Sequence, residues 1–79
     1  MDLILQTRDG DLLLVDYKTD HITREERSDP SLLAKHMTRR HGVQLSYYAK
    51  AAKALFGKAP DGIFIYSIPL GRMIPITLP

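Results

Sequence analysis

The stretch Val15-Asp16-Tyr17-Lys18-Thr19-Asp20 decides how this sequence is interpreted. It closes an apolar run and therefore predicts the end of a β-strand. Because successive side chains of a strand point to opposite faces, Asp16 and Lys18 share one face. A carboxylate beside an ammonium can serve phosphodiester hydrolysis, in which the acid holds a hard cation such as Mg²⁺ and the lysine offsets charge on the phosphate. A lone Asp-x-Lys pair is also a common surface ion pair, so the rest of the chain has to decide between the two.

The residues upstream predict a hairpin whose loop length controls a second acid. Two apolar runs flank the turn sequence Arg8-Asp9-Gly10. A two-residue loop would place Leu3 opposite Asp16, whereas a three-residue loop with Gly10 left-handed would place Asp2 there. Two opposed carboxylates repel each other unless a cation lies between them. The metal-site hypothesis therefore requires the three-residue loop.

The middle of the chain predicts a helix. Residues 19–29 are polar and predict a loop, and Asp29-Pro30 is typical of a helix start, with Asp as the cap and Pro at the first helical position. Gly42 either kinks one helix or separates two, and Gly57 is a plausible stop. The stronger helical segment, from about Val43 to Phe56, carries an apolar stripe of Leu45, Tyr48, Ala49, Ala52 and Phe56.

The remaining segments complete an α+β (mixed α/β) fold class with the order β-β-α-β-β. Pro69 and Pro75 shift the last two strands towards edge or irregular positions. The predicted strands cover residues 2–7, 11–18, 62–68 and 72–78.

Composition excludes several classes of protein and favours none strongly. The 79 residues allow one small domain, and the absence of cysteine excludes a disulfide staple and a cysteine-ligated iron–sulfur cluster within it. No stretch is long and apolar enough to span a membrane, and the first residues lack the basic segment of a signal peptide. The formal net charge of +2 gives a mild basic lean.

Further polar residues on the helix extend the candidate site. Gln44 and Tyr48 lie four residues apart, so they share a helix face and can hydrogen-bond phosphate oxygens or orient catalytic groups. Tyr48 alone would be an ordinary core aromatic. A basic patch on the first helical segment is either a solvated face or a phosphate-contacting surface; it consists of Lys35, His36, Arg39 and Arg40. The histidines His21, His36 and His41 are predicted to be surface or loop residues. Glu25 and Glu26 are predicted to be solvated loop acids.

The combination DLIL…LLLVDYKTD…VQLSYYAKA resembles the PD-(D/E)xK nuclease domain at the C-terminal end of AddA/RecB-type helicase–nuclease subunits. The resemblance covers Asp2 to about Ala52. It implies a restriction-endonuclease-like core, with Asp2, Asp16 and the Tyr17 carbonyl as metal ligands and Lys18 as the active-site lysine. Gln44 and Tyr48 match the motif helix that supports the site and contacts DNA.

The same resemblance implies the cofactor, the partners and the biology. It implies Mg²⁺, with Mn²⁺ possible, and no iron–sulfur cluster. The parent would be a bacterial cytoplasmic ATP-dependent helicase and deoxyribonuclease that processes double-strand DNA ends for recombinational repair. Its partners would be DNA and a second, AddB-type subunit. No phosphate-binding loop occurs here, so an ATPase motor would lie elsewhere in the parent.

Two departures from the family pattern limit these expectations. Residues 1–79 are expected to be part of a nuclease domain, because the upstream helical segment with its acidic or His residue is missing, and His41 stands where many members have an aromatic. The piece alone is therefore expected to be a poor nuclease or none, and to self-associate through an uncovered sheet face. The alternatives are a non-catalytic DNA-binding or docking module and a plain α+β scaffold.

Overall fold

Four strands and two helices make up the part of the chain that the structure describes. The computed structural model describes residues 9–78 and, for the backbone alone, residues 2–6. The elements in chain order are β1 (Asp2–Gln6), β2 (Leu12–Lys18), α1 (Arg24–Ser28), α2 (Pro30–Phe56), β3 (Gly62–Ser67) and β4 (Arg72–Pro75). The predicted α+β class is thus confirmed, with one short helix that the sequence prediction lacked.

The sheet follows the chain order β1-β2-β3-β4. The outer pairs, β1/β2 and β3/β4, are antiparallel, whereas β2 and β3 are parallel. A parallel pair needs a long crossover, and α2 supplies it. The strand β2 is therefore paired on both sides, which places Asp16 and Lys18 inside the sheet.

One face of the sheet holds the core. Asp16, Ile65 and Ile74 are successive partners across β2, β3 and β4, so they form one row on one face. The core cluster combines strand residues of this face with helix residues, which shows that α2 lies over it; its buried members are Ile22, Leu33, Met37, Leu45, Ile65, Ile74 and Ile76. The opposite face carries the exposed Tyr17 and Met73, and its self-association stays a prediction.

The central helix is continuous through Gly42. Glycine inside a helix costs up to about 1 kcal/mol relative to alanine. Met37 and Leu45, on either side of Gly42, are both fully buried against the same core, so packing holds the two segments in one line. Beyond Ala52 the helix leaves the core, and Phe56, which the stripe predicted to be apolar and packed, is 50% exposed.

Local signals set both ends of α2 as predicted. The Asp29 side chain accepts a hydrogen bond from the Leu32 N–H, and Pro30 begins the helix. Gly57 ends it in the left-handed conformation, at φ 79°. No helix within the described part of the chain is long and apolar enough to cross a membrane.

The predicted loop over residues 19–29 is wrong in its second half. Thr23 accepts a hydrogen bond from the Glu26 N–H, and the Glu26 side chain accepts one from the Thr23 N–H. This reciprocal capping box begins α1. The sequence Thr-x-x-Glu at residues 23–26 was the signal for it, and it was missed because no apolar run follows.

A clamp fixes the start of β2 against the start of β3. The Leu12 N–H donates to the Asp61 carboxylate at 2.7 Å, and the Asp61 N–H donates to the Leu12 carbonyl at 2.7 Å. The hydrogen bond from Lys58 and that from the Leu12 N–H lower the pKa of Asp61. The clamp holds the parallel register that carries the site residues at the far end of β2.

Candidate active site

Asp16 and Lys18 lie side by side at the end of β2, as their spacing predicted. Asp16 is fully buried, and the Lys18 side chain is 18% exposed. The Lys18 Nζ lies 3.2 Å from the Asp16 Oδ2. The pair is therefore not an ordinary surface ion pair, because one partner is removed from solvent and the other reaches it.

The helix α2 brings Gln44 and Tyr48 to this pair. The Lys18 Nζ donates a hydrogen bond to the Gln44 Oε1 at 2.9 Å, and the Gln44 Nε2 donates one to the Tyr48 hydroxyl at 2.9 Å. Asp16, Lys18, Gln44 and Tyr48 thus form one connected chain of polar groups, the site cluster. Four of the five predicted catalytic residues meet in it.

The fifth predicted residue, Asp2, has the expected backbone position. It is the register partner of Asp16, as Ile4 is of Leu14. Gly10 is left-handed, at φ 87°. This register is the one that the three-residue loop requires, so the alternative that places Leu3 opposite Asp16 is wrong. The side chain of Asp2 lies outside the described part of the chain.

The donors at this end of the sheet suit a hard cation in type. They are the carboxylate of Asp16 and the register position of Asp2, with the Tyr17 carbonyl predicted as a third. Among the described side chains, no group of three or more His, Cys, Asp or Glu residues could hold a metal ion. A cation here would therefore take most of its coordination shell from water.

A second polar cluster, which the sequence did not predict, joins the same two segments. Asp20 follows Lys18 by two residues, and its Oδ2 lies 2.8 Å from the His41 Nε2 and 3.5 Å from Arg40. Burial raises the pKa of Asp20. The hydrogen bond and charge of His41, together with Arg40, lower it by more than burial raises it, so the net shift of the pKa is downward. Asp20 is therefore held as a carboxylate against α2.

Glu26 forms the other half of this cluster and is only 1% exposed. Its Oε2 lies 2.7 Å from the His36 Nδ1 and 3.6 Å from Arg40. The hydrogen bond from the Thr23 N–H, followed by that from His36, lowers its pKa to about 2. The prediction that Glu26 is a solvated loop charge is wrong. We name Asp20, Glu26, His36, Arg40 and His41 the anchor network.

The anchor network stands next to the site cluster along both segments. His41 precedes Gln44 by three residues, which is about one helical turn. The Asp20–His41 and Lys18–Gln44 contacts are therefore neighbouring links between the end of β2 and the same side of α2. The anchor network fixes how far α2 lies from the strand end, and hence where Gln44 meets Lys18.

Comparison with known proteins finds relatives with the same kind of name that the sequence motifs suggested. No protein-family model matches the chain. The chain is similar to the A subunit of the ATP-dependent helicase/nuclease of Lachnoclostridium phytofermentans, with 34% identity over 76 residues, 96% of this chain and 5% of that protein. The protein of the same name from Lactiplantibacillus plantarum is 32% identical over 77 residues, 98% of this chain and 5% of that protein.

A third protein of this name, from Levilactobacillus brevis, is 27% identical over 70 residues, 89% of this chain and 5% of that protein. These matches support membership of the family of helicase/nuclease A subunits. The chain spans about 5% of the length of the curated relatives it matches. The similarity includes nearly all of the chain, so the site cluster and the anchor network both fall within it.

The histidines show what sequence reasoning missed. His36 and His41 were predicted to be surface or loop residues, but both are partly buried and bonded to acids. Their spacing on α2, five residues apart, carries no signal by itself. Only the folding of α1 and of the segment after β2 onto the helix brings an acid to each of them.

Proposed function

We propose that the site cluster belongs to the active site of a Mg²⁺-dependent DNA nuclease that hydrolyses phosphodiester bonds. One observation carries the proposal: the Lys18 ammonium lies 3.2 Å from the buried Asp16 carboxylate and 2.9 Å from Gln44, whose amide is in turn bonded to Tyr48. The stability of a plain scaffold does not require a strand acid, a lysine and two helix residues to converge at one place. The core would then be restriction-endonuclease-like.

Asp16, Asp2 and the Tyr17 carbonyl are the groups proposed to hold the cation. Oxygen donors are those that Mg²⁺ prefers, and Mn²⁺ accepts the same set. When bound, the cation would lower the pKa of a water molecule and shield the phosphate. Because Lys18 already neutralises Asp16, we expect the cation to bind weakly.

Lys18 is proposed to position the attacking water and to offset the charge that develops on the phosphate. Gln44 fixes the ammonium by accepting one of its hydrogens, and Tyr48 fixes Gln44 by accepting from its amide. Each side chain in the series therefore restricts the rotamers of the next. Such preorganisation is what a catalytic constellation needs, since small displacements of a reacting group reduce rates strongly.

The wider role follows from the relatives' names. They are ATP-dependent helicase/nuclease A subunits. We propose that this chain is part of the nuclease domain of such a protein. An ATPase motor elsewhere in the protein and a second, AddB-type subunit would complete the assembly, which would process double-strand DNA ends for recombinational repair. The expected compartment is the bacterial cytoplasm.

Cation binding tests the ligands directly. Mn²⁺ would be titrated into the 79-residue chain by calorimetry, with Asp16→Asn as the test variant and Glu25→Gln as the control. Glu25 is an exposed acid of α1, so its substitution removes the same charge away from the site. We expect a loss of binding in Asp16→Asn alone. Equal binding by all three proteins would show that Asp16 is not a ligand.

Cleavage tests the reaction. Linear DNA and Mg²⁺ would be incubated with the 79-residue chain and, where the coding sequence continues upstream of Met1, with a longer form. We expect cleavage by the longer form, abolished by Lys18→Ala and by Asp16→Asn, and little or none by the short form. If neither form cleaves DNA but both bind it, the non-catalytic DNA-binding module would be the better proposal.

A further inference from the structure

The helix α2 contains no acidic residue. Its 27 residues include five lysines and arginines: Lys35, Arg39, Arg40, Lys50 and Lys53. A solvated helix face usually interleaves both signs of charge, because oppositely charged residues three or four apart stabilise the helix and like charges at these spacings destabilise it. Lys35 and Arg39 are four residues apart and Lys50 and Lys53 are three apart, so these like charges repel each other and an anionic partner would relieve the repulsion.

These five cations fall into two groups that differ in their surroundings. Arg40 is bonded to Glu26 and Asp20 of the anchor network. The other four are exposed. None of them is in the ion pairs found among the described residues. At 100° per residue, Lys35, Arg39, Lys50 and Lys53 lie within about 60° of one another around the helix. We name these four residues the outer strip; it extends for about 27 Å.

Two adjoining hollows of about 270 and 210 Å³ lie along the outer strip. They share Val43 and Ser46, and they end at Lys50 on one side and at Arg39 on the other. Tyr47 lines the first hollow and is 68% exposed. Taken together, the two hollows have Arg39 at one end, Lys50 at the other and the Tyr47 ring in the wall of the first, so they can receive a flat base beside its phosphates.

We infer that the outer strip and Tyr47 bind a single-stranded stretch of DNA, an inference that rests on the proposed function for the identity of the substrate. The row of cations matches the charge of a phosphate backbone. The exposed ring favours a single strand, because duplex bases are stacked on one another and offer no free face. A protein partner fits less well, since it would have to supply carboxylates at matched positions along the whole strip, whereas a nucleic-acid backbone carries a charge at every nucleotide.

The position of Tyr47 connects this surface to the site cluster. Tyr47 follows Gln44 by three residues, so the two side chains are neighbours on the helix surface. Gln44 is bonded to Lys18. A strand held on Tyr47 would therefore place an adjacent phosphate at the site, and the outer strip would hold the nucleotides that are not cleaved.

The test is the binding of a fluorescent oligothymidylate, measured by anisotropy in EDTA so that no divalent cation takes part. Arg39→Gln/Lys50→Gln is the charge variant. Arg24→Gln/Arg27→Gln is its matched control, because it removes two exposed arginines of α1. Tyr47→Ser removes the ring, and Tyr47→Phe keeps it. Circular dichroism would confirm that each variant folds.

We expect the charge variant to bind about tenfold more weakly and to reduce the slope of log affinity against log salt by about 1.4, or about 0.7 for each lost phosphate contact. Tyr47→Ser should lose about fivefold or more, and Tyr47→Phe little. A hairpin duplex should bind more weakly than the single strand. The inference is overturned if the α1 control loses as much, if the duplex binds as well, or if Tyr47→Ser alters self-association and leaves strand binding unchanged.

The outcome is separable from that of the proposed function. If the wild type neither binds cations nor cleaves DNA, yet the outer-strip variants still lose strand binding, the nuclease proposal fails and the binding surface stands. If cleavage requires Asp16 but the variants bind the strand normally, the nuclease proposal stands and the binding surface fails.

Discussion

The anchor network and the site cluster join the same two segments of the chain but are built differently. In the anchor network, two carboxylates face three basic side chains, and Arg40 contacts both acids. In the site cluster, the described contacts join one carboxylate to one ammonium, and the ammonium to a neutral amide that is in turn bonded to a hydroxyl. Among the described residues, the anchor network therefore holds more charged groups than the site cluster does.

This difference separates stability from chemistry. A buried acid with several partners is strongly destabilising to lose, because the partners remain without their counter-charge. A site that has to admit a cation and a phosphate cannot be saturated in the same way. We therefore expect substitutions in the anchor network to act mainly on the free energy of unfolding, and substitutions in the site cluster to act mainly on binding and cleavage.

The largest expected effect on stability is that of Glu26→Ala. It removes the acceptor of the Thr23 N–H and the partner of His36 and Arg40 together. We expect the Tm to fall by more than about 5 °C. Glu26→Gln keeps an acceptor for the Thr23 N–H, so the Tm of this variant should fall less. Thermal melts followed by circular dichroism measure both, and a Tm within about 1 °C of the wild type for Glu26→Ala would contradict the role of the anchor network.

Acid should act on the same group. The pKa of Glu26 is about 2 in the folded chain and ordinarily 4.5. A lowered pKa stabilises the fold above the unfolded value, so this contribution is present above pH 4.5 and is lost as the pH falls towards 2. Urea unfolding at a series of pH values should show that decline. Glu26→Gln should flatten it, and an unchanged slope would assign the acid sensitivity to other carboxylates.

A smaller effect is expected from the cap of α1. Thr23→Ala removes the hydroxyl that accepts from the Glu26 N–H at 3.1 Å and should cost about 1 kcal/mol. Ser28→Ala is the control, since it removes a hydroxyl at the exposed end of the same helix. Denaturant unfolding compares the two. Equal losses would mean that the capping box does not hold Glu26 in place.

The clearest effect on binding should come from Lys18→Gln. The neutral side chain can still reach Gln44, but the ammonium beside the buried Asp16 carboxylate is lost, so we also expect the variant to be less stable than the wild type. Without the ammonium 3.2 Å away, Asp16 should bind Mn²⁺ more tightly. Calorimetric titration would measure the tighter Mn²⁺ binding. We expect the same variant to lose DNA cleavage. Weaker Mn²⁺ binding than in the wild type would contradict competition between the lysine and the cation.

Much of the fold could be predicted because its signals are local. Gly10 is left-handed, and Asp2 lies opposite Asp16, in the register that the three-residue loop predicted. Asp29-Pro30 and Gly57 set the ends of α2. Each of these features depends on the backbone preferences of two or three neighbouring residues, and the sequence states those preferences directly.

The sequence by itself determined that Asp16 and Lys18 share a face, because strand alternation is a property of the backbone. Only the tertiary structure decided that Lys18 meets Gln44, 26 residues away. It also decided that α2 runs unbroken through Gly42 and that Glu26 is buried among His36 and Arg40. The reason is that these contacts depend on how α1 and α2 pack on the sheet, and that packing is set by the burial of the whole core, which no short stretch of sequence encodes.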